Sequence, residues 1–486
     1  MKDVDNIFRK VLKRIRPTEN ELNLINRIVE EVKTLLSEKA RELDIVYKSI
    51  QPQGSTGIKQ TQLRNDFDID LFIGLDYELY NQEIEGLSKN KRKEQFKSLF
   101  KQFCNKWIIP AISIDKIKDP RLFYAEHPYV KAKYEDPRQS QQYLELDIVL
   151  YFELEKEYIK KNGPITAVDR TPWHGKFVKN NLTERQKDHV RLLKQFFKAC
   201  HSYGDKSAVG RVGFIGYSAE LLIYHYGDIL NVFQHFKELK INPLDNFERD
   251  PSKLKNIKRF QNDYLIIIDP VDNQRNVASA ISPRAYKYCN QQILEFLQAP
   301  NESYFRIESI PPIGKDKDKT EQLFITELEN TDMEYHYTEN RDKLYSLGSY
   351  IKNIGEREFT HEKRFGTIIY ELYFELEKKR YCLAFYCEDP SISQTYIRKG
   401  PPKKKKHHVK KFKQKNPKTF EKNGFVWTET KREYTLFKNF LNDYIPKKLP
   451  NNFRIKNISG ASQTQSTTGK KTLYVLKNMI LPFFLD

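Results

Sequence analysis

The chain predicts an α+β protein of several domains. Three observations carry that prediction: stretches with apolar residues at helical spacing alternate with short apolar strand runs, the chain has 486 residues, and its composition changes abruptly at a basic segment, 397–415. A chain of that length exceeds one ordinary domain and can bury more than one core. The pattern divides into a head with a mixed sheet and helices (1–165), a helical neck (166–290), an α+β body (291–396 with 455–486) and a basic tail element (397–454).

From 6 to about 44 the apolar residues recur at three and four, as do Leu22, Ile25, Ile28, Val29, Val32, Leu35 and Leu36. Thr18-x-x-Glu21 adds a capping box, so two amphipathic helices come first. Ile45-Val46-Tyr47 reads as the first strand, entering a turn at Gly54-Ser55. The run Asp68-Ile69-Asp70-Leu71-Phe72-Ile73 reads as an acidic strand, 88–107 as a charged helix, and 144–149, which contains Asp147, as a second acidic strand.

After Pro164, residues 166–174 read as a loop by their prolines. Thr183-x-x-Gln186 then caps a helix that carries Val190, Leu193, Phe196 and Phe197 inward, and Gly204 closes it after Tyr203. A shorter apolar helix covers 219–226, and these helices are expected to pack across a cleft from the acidic strands. Beyond Asn290, the runs 323–326, 367–373 and 381–385 read as strands, with a helix over 339–354. The basic segment, with Lys403, Lys404, Lys405, Lys406, Lys410 and Lys411, repels itself. It is expected to form a mobile arm or a phosphate-binding strip attached to a folded tail.

Lys and Arg number 84 against 65 Asp and Glu, a formal charge of +19. Clustered cations gain affinity by releasing condensed counterions, so the expected partner is a polyanion, nucleic acid first. The 5 cysteines are scattered without pairs at metal-binding or disulfide spacing, as expected of free thiols in a reducing, cytoplasmic setting. No apolar run approaches the length of about 18 residues that a membrane span needs, and the first residues show no secretion signal.

The chemistry concentrates in the acidic strands. Alternate side chains share a strand face, which places Asp68 and Asp70 together about 7 Å apart. Asp147 on a neighbouring strand completes a trio. Three carboxylates suit two Mg²⁺ ions roughly 4 Å apart, one activating a hydroxyl and one holding a triphosphate. Gly54 and Ser55 supply free backbone N–H groups and a hydroxyl to cradle the departing phosphates. That combination points to nucleotidyl transfer.

Longer motifs carry a resemblance. Tyr124-Ala125-Glu126-His127-Pro128-Tyr129-Val130, Ala167-Val168-Asp169-Arg170-Thr171-Pro172-Trp173-His174, Arg191-Leu192-Leu193-Lys194, Asp269-Pro270-Val271-Asp272-Asn273-Gln274-Arg275-Asn276-Val277-Ala278 and Gly400-Pro401 are similar to segments of the archaeal, class I CCA-adding enzymes. These are tRNA nucleotidyltransferases of the DNA polymerase beta-like superfamily. The resemblance is dense between Gly54 and Ala280 and thins beyond Asn290. It implies stepwise addition of C, C and A to the tRNA 3′ end from CTP and ATP, without a template, in one site between head and neck. It also implies recognition of the tRNA acceptor stem and, as in many members, a homodimer.

By match, Asp68, Asp70 and Asp147 hold Mg²⁺ and Gly54 and Ser55 meet the triphosphate. His174, Lys194 and Tyr203 bind the nucleotide, and Arg275 reads the incoming base beside tRNA phosphates. The chain departs from the pattern in carrying Asp68 where Glu is common and Gly175 where a second His is frequent. Ile58 stands at the register of the family's triphosphate-binding Arg, with Lys59 the nearest cation. Two rival readings are a different synthase of the superfamily (oligoadenylate, cyclic-dinucleotide or poly(A)) and a catalytically silent RNA-binding protein. The silent reading predicts a missing carboxylate, and all three are present.

Overall fold

Two helices open the chain, Lys2–Ile15 and Glu19–Glu42. The capping box between them is formed as expected: Thr18 Oγ1 accepts from the Glu21 N–H, and Glu21 accepts from the Thr18 N–H. Two of the donors that a helix start leaves free are thereby satisfied. The computed structural model describes residues 2–66, 68–82, 86–124, 127–135, 143–314, 320–332, 335–358, 363–376 and 379–485. Of the motif that begins at Tyr124, Ala125 and Glu126 lie outside them.

The first sheet has five strands, β1 (Ser49–Pro52), β2 (Ile69–Leu75), β3 (Ile117–Tyr124), β4 (Pro128–Glu135) and β5 (Tyr143–Phe152), in the order β1-β2-β5-β4-β3. β2 and β5 are parallel at its centre, and the other pairs are antiparallel. Ile69, Leu71, Ile73 and Leu75 of β2 are buried with Ile148 of β5, Val32 and Leu36 of the second helix and Trp107. The Trp107 indole N–H donates to the Leu36 carbonyl at 2.8 Å, so the deepest ring carries no unmet donor.

Two expectations shift here. Ile45, Val46 and Tyr47 precede the first strand, because the ladder with β2 runs only from Ser49 opposite Gly74 to Pro52 opposite Leu71. Ile45 and Tyr47 instead pack sideways on the core. Asp68 lies one residue before β2, exposed, rather than within the strand.

The described residues fall into two compact units, one of Met1–Cys200, Phe214–Ala280 and Asn290–Ile307, the other of His201–Gly213, Ile281–Cys289 and Glu308–Asp486. The boundary expected at 165 lies inside the first. There, Ala167–Arg170 forms a 3-10 turn and Thr171–Asn181 a helix, so 171–174 is not loop. Pro172 sits in the helix's first turn, where a missing N–H leaves no bond unmade. The next helix, Glu184–Ala199, has its capping box at Thr183 and Gln186 but ends before Tyr203; His201 already turns left-handed with φ 50°. Phe196 and Phe197 point inward as expected, Phe197 stacking on Phe214 with ring centres 4.2 Å apart. The apolar helix spans Gly216–Tyr226.

In the second unit, β6 (Leu323–Asn330), β7 (Ile368–Glu375), β8 (Arg380–Cys387) and β12 (Phe453–Gly460) form a sheet in the order β12-β6-β8-β7. Leu344 and Leu347 of the helix Tyr337–Glu356 and Phe437 and Phe440 of the helix Phe437–Lys448 pack into one hydrophobic cluster on it. Leu473 and Leu476 belong to a second cluster. The basic segment is built into structure rather than left as an arm. It forms β9 (Thr395–Pro402) and the helix Lys406–Lys415, followed by the hairpin β10 (Thr419–Lys422) and β11 (Phe425–Lys431), in the sheet order β10-β11-β9. The like charges are tolerated because that helix buries none of its residues and Glu421 pairs with both Lys403 and Lys413. Among the described residues no helix is long and apolar enough to cross a membrane.

Candidate active site

Parallel pairing of β2 and β5 sets Asp70 directly beside Asp147, one strand spacing of about 4.8 Å away. Gly54, with φ +67°, turns the chain over this pair. A Cβ built there would stand 2.0 Å from Asp70 Oδ2, so only glycine admits both the turn and the carboxylate. The turn is closed by Gln53 N–H to the Asp70 carbonyl (2.9 Å) and by Thr61 N–H to the Ser55 carbonyl (2.9 Å). Opposite Asp147 on β4 stands Lys131, whose Nζ lies 3.8 Å from Asp147 Oδ1 and also pairs with Glu145.

Burial, and then the charges of Asp147 and Asp68, push Asp70 up from the usual carboxylate range to about 7, against the pull of Lys59 and Lys131. Burial likewise raises Asp147 to about 6, with Lys131 opposing. Asp147 Oδ1 is buried and accepts no hydrogen bond. These acids raise one another's pKa and Lys131, 3.8 Å from Asp147 Oδ1, offsets only part of their charge; hard oxygen donors of that kind fit Mg²⁺. Among the described residues no three acidic, His or Cys side chains form a group that could hold a metal ion, so the expected trio is present as the adjacent pair Asp70 and Asp147, with Asp68 outside the strand.

Beneath the turn lies a buried cationic layer. Lys59 Nζ donates to Glu220 Oε2 at 2.7 Å, and Lys194 Nζ donates to Glu220 Oε1 at 3.3 Å and to Thr61 Oγ1 at 2.8 Å. Thr61 itself donates to Glu220 Oε1 at 2.7 Å. Burial lowers Lys194 to about 8. Burial would raise Glu220, but the two lysines overcome it and hold the carboxylate at about 2. The expected phosphate-binding cations are thus enclosed and tied to a carboxylate, with one positive charge in excess.

A second buried anion, Asp269, gathers the other residues. His174 Nε2 lies 2.7 Å from Asp269 Oδ2, Arg275 Nη1 donates to the same oxygen at 3.0 Å, and Tyr217 Oη donates to Oδ1 at 3.1 Å. Burial lowers the His174 pKa despite Asp269, so the neutral ring, donating from Nε2, matches this geometry. Arg275 also lines a cleft of about 760 Å³ with Lys160, Lys161, Arg170 and Arg259. The three candidate metal carboxylates are not in the walls of that cleft, which is therefore a neighbouring, cationic feature.

Of the residues expected from sequence, the first unit brings together Gly54, Ser55, Lys59, Asp70, Asp147, His174, Lys194 and Arg275, with Asp68 at the strand entrance. Tyr203, half-buried, and Lys403 to Lys411 belong to the second unit. Four participants went unrecognised: Lys131, Tyr217, Glu220 and Asp269. Glu220 left a signal, being the only carboxylate in an otherwise apolar helix, where a charge is buried only if paired.

Known proteins bear on this site. The family model described as tRNA nucleotidyltransferase, second domain, matches residues 188–306, and that described as CCA-adding enzyme, C-terminal domain, matches 357–451. A CCA-adding enzyme of Methanocaldococcus jannaschii is 29% identical over 457 residues, 90% of this chain and 91% of that protein. A CCA-adding enzyme of Thermococcus gammatolerans is 32% identical over 314 residues, 62% of this chain, and the match spans only 61% of that protein's length. A solved structure of an RNA terminal uridylyl transferase covers 64% of this chain and 100% of that one at 13% identity and a TM-score of 0.44, too loose a likeness to bear on the site.

Proposed function

We propose that this chain is a member of the archaeal CCA-adding tRNA nucleotidyltransferases and adds C, C and A stepwise to the tRNA 3′ end from CTP and ATP, a reading supported by its CCA-adding relatives and the two matching family models. The observation that carries the chemistry is the in-register acidic pair Asp70–Asp147 beneath the Gly54 turn.

The tRNA 3′ hydroxyl attacks the nucleotide's α-phosphate in line and pyrophosphate leaves, with no covalent enzyme intermediate. Asp68, Asp70 and Asp147 would hold Mg²⁺, two ions in all, which when bound activates the hydroxyl and neutralises the leaving phosphates. Gly54 and Ser55 offer N–H groups and a hydroxyl to the triphosphate, over the excess positive charge of Lys59 and Lys194. His174 and Arg275 bind the nucleoside end; the Arg275 fork donates to acceptor edges that C and A both possess. The cleft of Lys160, Lys161, Arg170 and Arg259 takes the RNA backbone. Lys403, Lys404, Lys405, Lys406, Lys410 and Lys411 present a further phosphate-binding surface, because A-form RNA is held through backbone and shape.

The test offers tRNA lacking CCA with labelled CTP and ATP. Incorporation that stops after three nucleotides supports the proposal; long A tails or acceptor-free products refute it. Asp70→Ala and Asp147→Ala are expected to abolish addition while tRNA binding survives, and retained turnover in either removes the metal assignment.

A further inference from the structure

One helical face supports four nucleotide-binding candidates of the first unit, Lys59, Lys194, His174 and Arg275. Tyr217 and Glu220 are three residues apart on the helix Gly216–Tyr226, so their side chains emerge together. Both are buried, at 7% and 1% exposure. Glu220 accepts from Lys59, Thr61 and Lys194, which fixes two cations contributed by different elements. Tyr217 does the same for the opposite end. Its hydroxyl donates to Asp269, the oxygen-sharing anchor of His174 and Arg275, while its ring stacks on His174 at 4.3 Å and lies 4.7 Å from Lys59 Nζ.

We propose that Tyr217 and Glu220 are positioning residues that set the two ends of the nucleotide pocket separately: Glu220 the phosphate end, through Lys59 and Lys194, and Tyr217 the nucleoside end, through Asp269, His174 and Arg275. The proposal rests on the functional reading above for which residues meet the nucleotide. Without Glu220 the two ammonium groups lose their shared acceptor and repel each other, and Lys59, already within the electrostatic reach of Asp70, is free to swing toward that carboxylate. Without the Tyr217 hydroxyl, Asp269 loses one of its four partners, the others being His174, Arg275 and the Val271 N–H. Its grip on the His174–Arg275 pair is thereby loosened, while the ring under Lys59 stays in place.

The separation is tested by calorimetric binding of inorganic tripolyphosphate, CTP and ATP to the full chain with Mg²⁺, alongside KM and kcat for addition to tRNA. Glu220→Gln is expected to weaken all three ligands about tenfold, as loss of a charged hydrogen-bond partner does. Its kcat at saturation should change less than KM. Tyr217→Phe is expected to weaken CTP and ATP about threefold, in line with loss of a neutral bond, and to leave tripolyphosphate binding unchanged. Should Glu220→Gln fail to fold, Glu220→Asp, which keeps the charge and withdraws it by one methylene, is read in its place. Its tripolyphosphate affinity should fall between those of the native chain and a Lys59→Met variant. Folded Glu220 variants that bind tripolyphosphate as the native chain does overturn the proposal, as does a Tyr217→Phe variant that weakens tripolyphosphate and CTP alike. A native chain that binds CTP but adds nothing to tRNA defeats the functional reading, while the binding comparison still decides the roles of Tyr217 and Glu220.

Discussion

Replacing Asp70 by Asn should make the metal-free protein more stable while destroying its activity. Asp70 ionises near 7 in the folded chain, raised by burial and by its acidic neighbours from 3.8, the value expected when unfolded. A tenfold change in proton affinity is worth about 1.4 kcal/mol, so this rise places a penalty of about 4 kcal/mol on the ionised folded form. Relaxation and water reaching the site make about 2 kcal/mol the working figure. The sign follows from proton counting. Between pH 4 and 7 the folded state keeps a proton that the unfolded state has lost, so this group's contribution to stability falls as pH rises through that window and is lowest above it. Asn carries no such penalty. At pH 8 with a chelator, Asp70→Asn should exceed the native chain in stability by about 2 kcal/mol, and at pH 4 the gap should close. Urea unfolding followed by Trp107 and Trp173, in a Trp427→Phe background so that only the first unit reports, measures this directly. Adding Mg²⁺ at one hundred times its dissociation constant should return about 2.7 kcal/mol to the native chain and little to the variant. An Asp70→Asn chain less stable than native at pH 8, or a gap that ignores pH, would show that the ionised Asp70 carboxylate carries no such penalty in the folded chain.

Three further outcomes are expected. Lys131→Met removes a cation that holds Asp147 down, so the acid limb of the pH profile of kcat/KM should move to higher pH. Gly54→Ala places a Cβ 2.0 Å from Asp70 Oδ2 at a φ of +67°, and should lower kcat by orders of magnitude and reduce stability by more than about 1 kcal/mol, measured by turnover and urea unfolding. Exchanging Lys403, Lys404, Lys405 and Lys406 for Glu should weaken tRNA binding in a filter assay and flatten its dependence on salt, because fewer counterions are released per complex.

What could be read from the chain alone was whatever depended on local period. Strand alternation separated Asp70 from the buried Ile69 and Leu71, although Asp68 lies outside the strand, and helical spacing with Thr18-x-x-Glu21 and Thr183-x-x-Gln186 marked two helix starts. Errors arose where a neighbour decides. Ile45-Val46-Tyr47 is as apolar as a strand, yet its partner β2 reaches only Ser49 to Pro52. Pro172 looks like a loop residue, yet a proline is equally suited to a first helical turn. The lysine run folds because Glu421 and water absorb its repulsion, neither of which is visible in composition. The partner of Lys59 lies 161 positions away, beyond the reach of any periodicity.

That long-range pairing explains why the site is assembled from alternating charges. A carboxylate cluster kept ready for cations must remain partly ionised while buried, and its mutual repulsion works against folding. The chain offsets this with cations at two distances. Lys131 stands next to Asp147 and Lys59 acts on Asp70 from beneath the turn. Each of those cations is also tied to a second carboxylate. Glu145 restrains Lys131 and Glu220 restrains Lys59. A cation that must stabilise an acid without neutralising it needs an anchor of opposite sign, and Glu220, with both oxygens engaged, is fixed firmly enough to supply one.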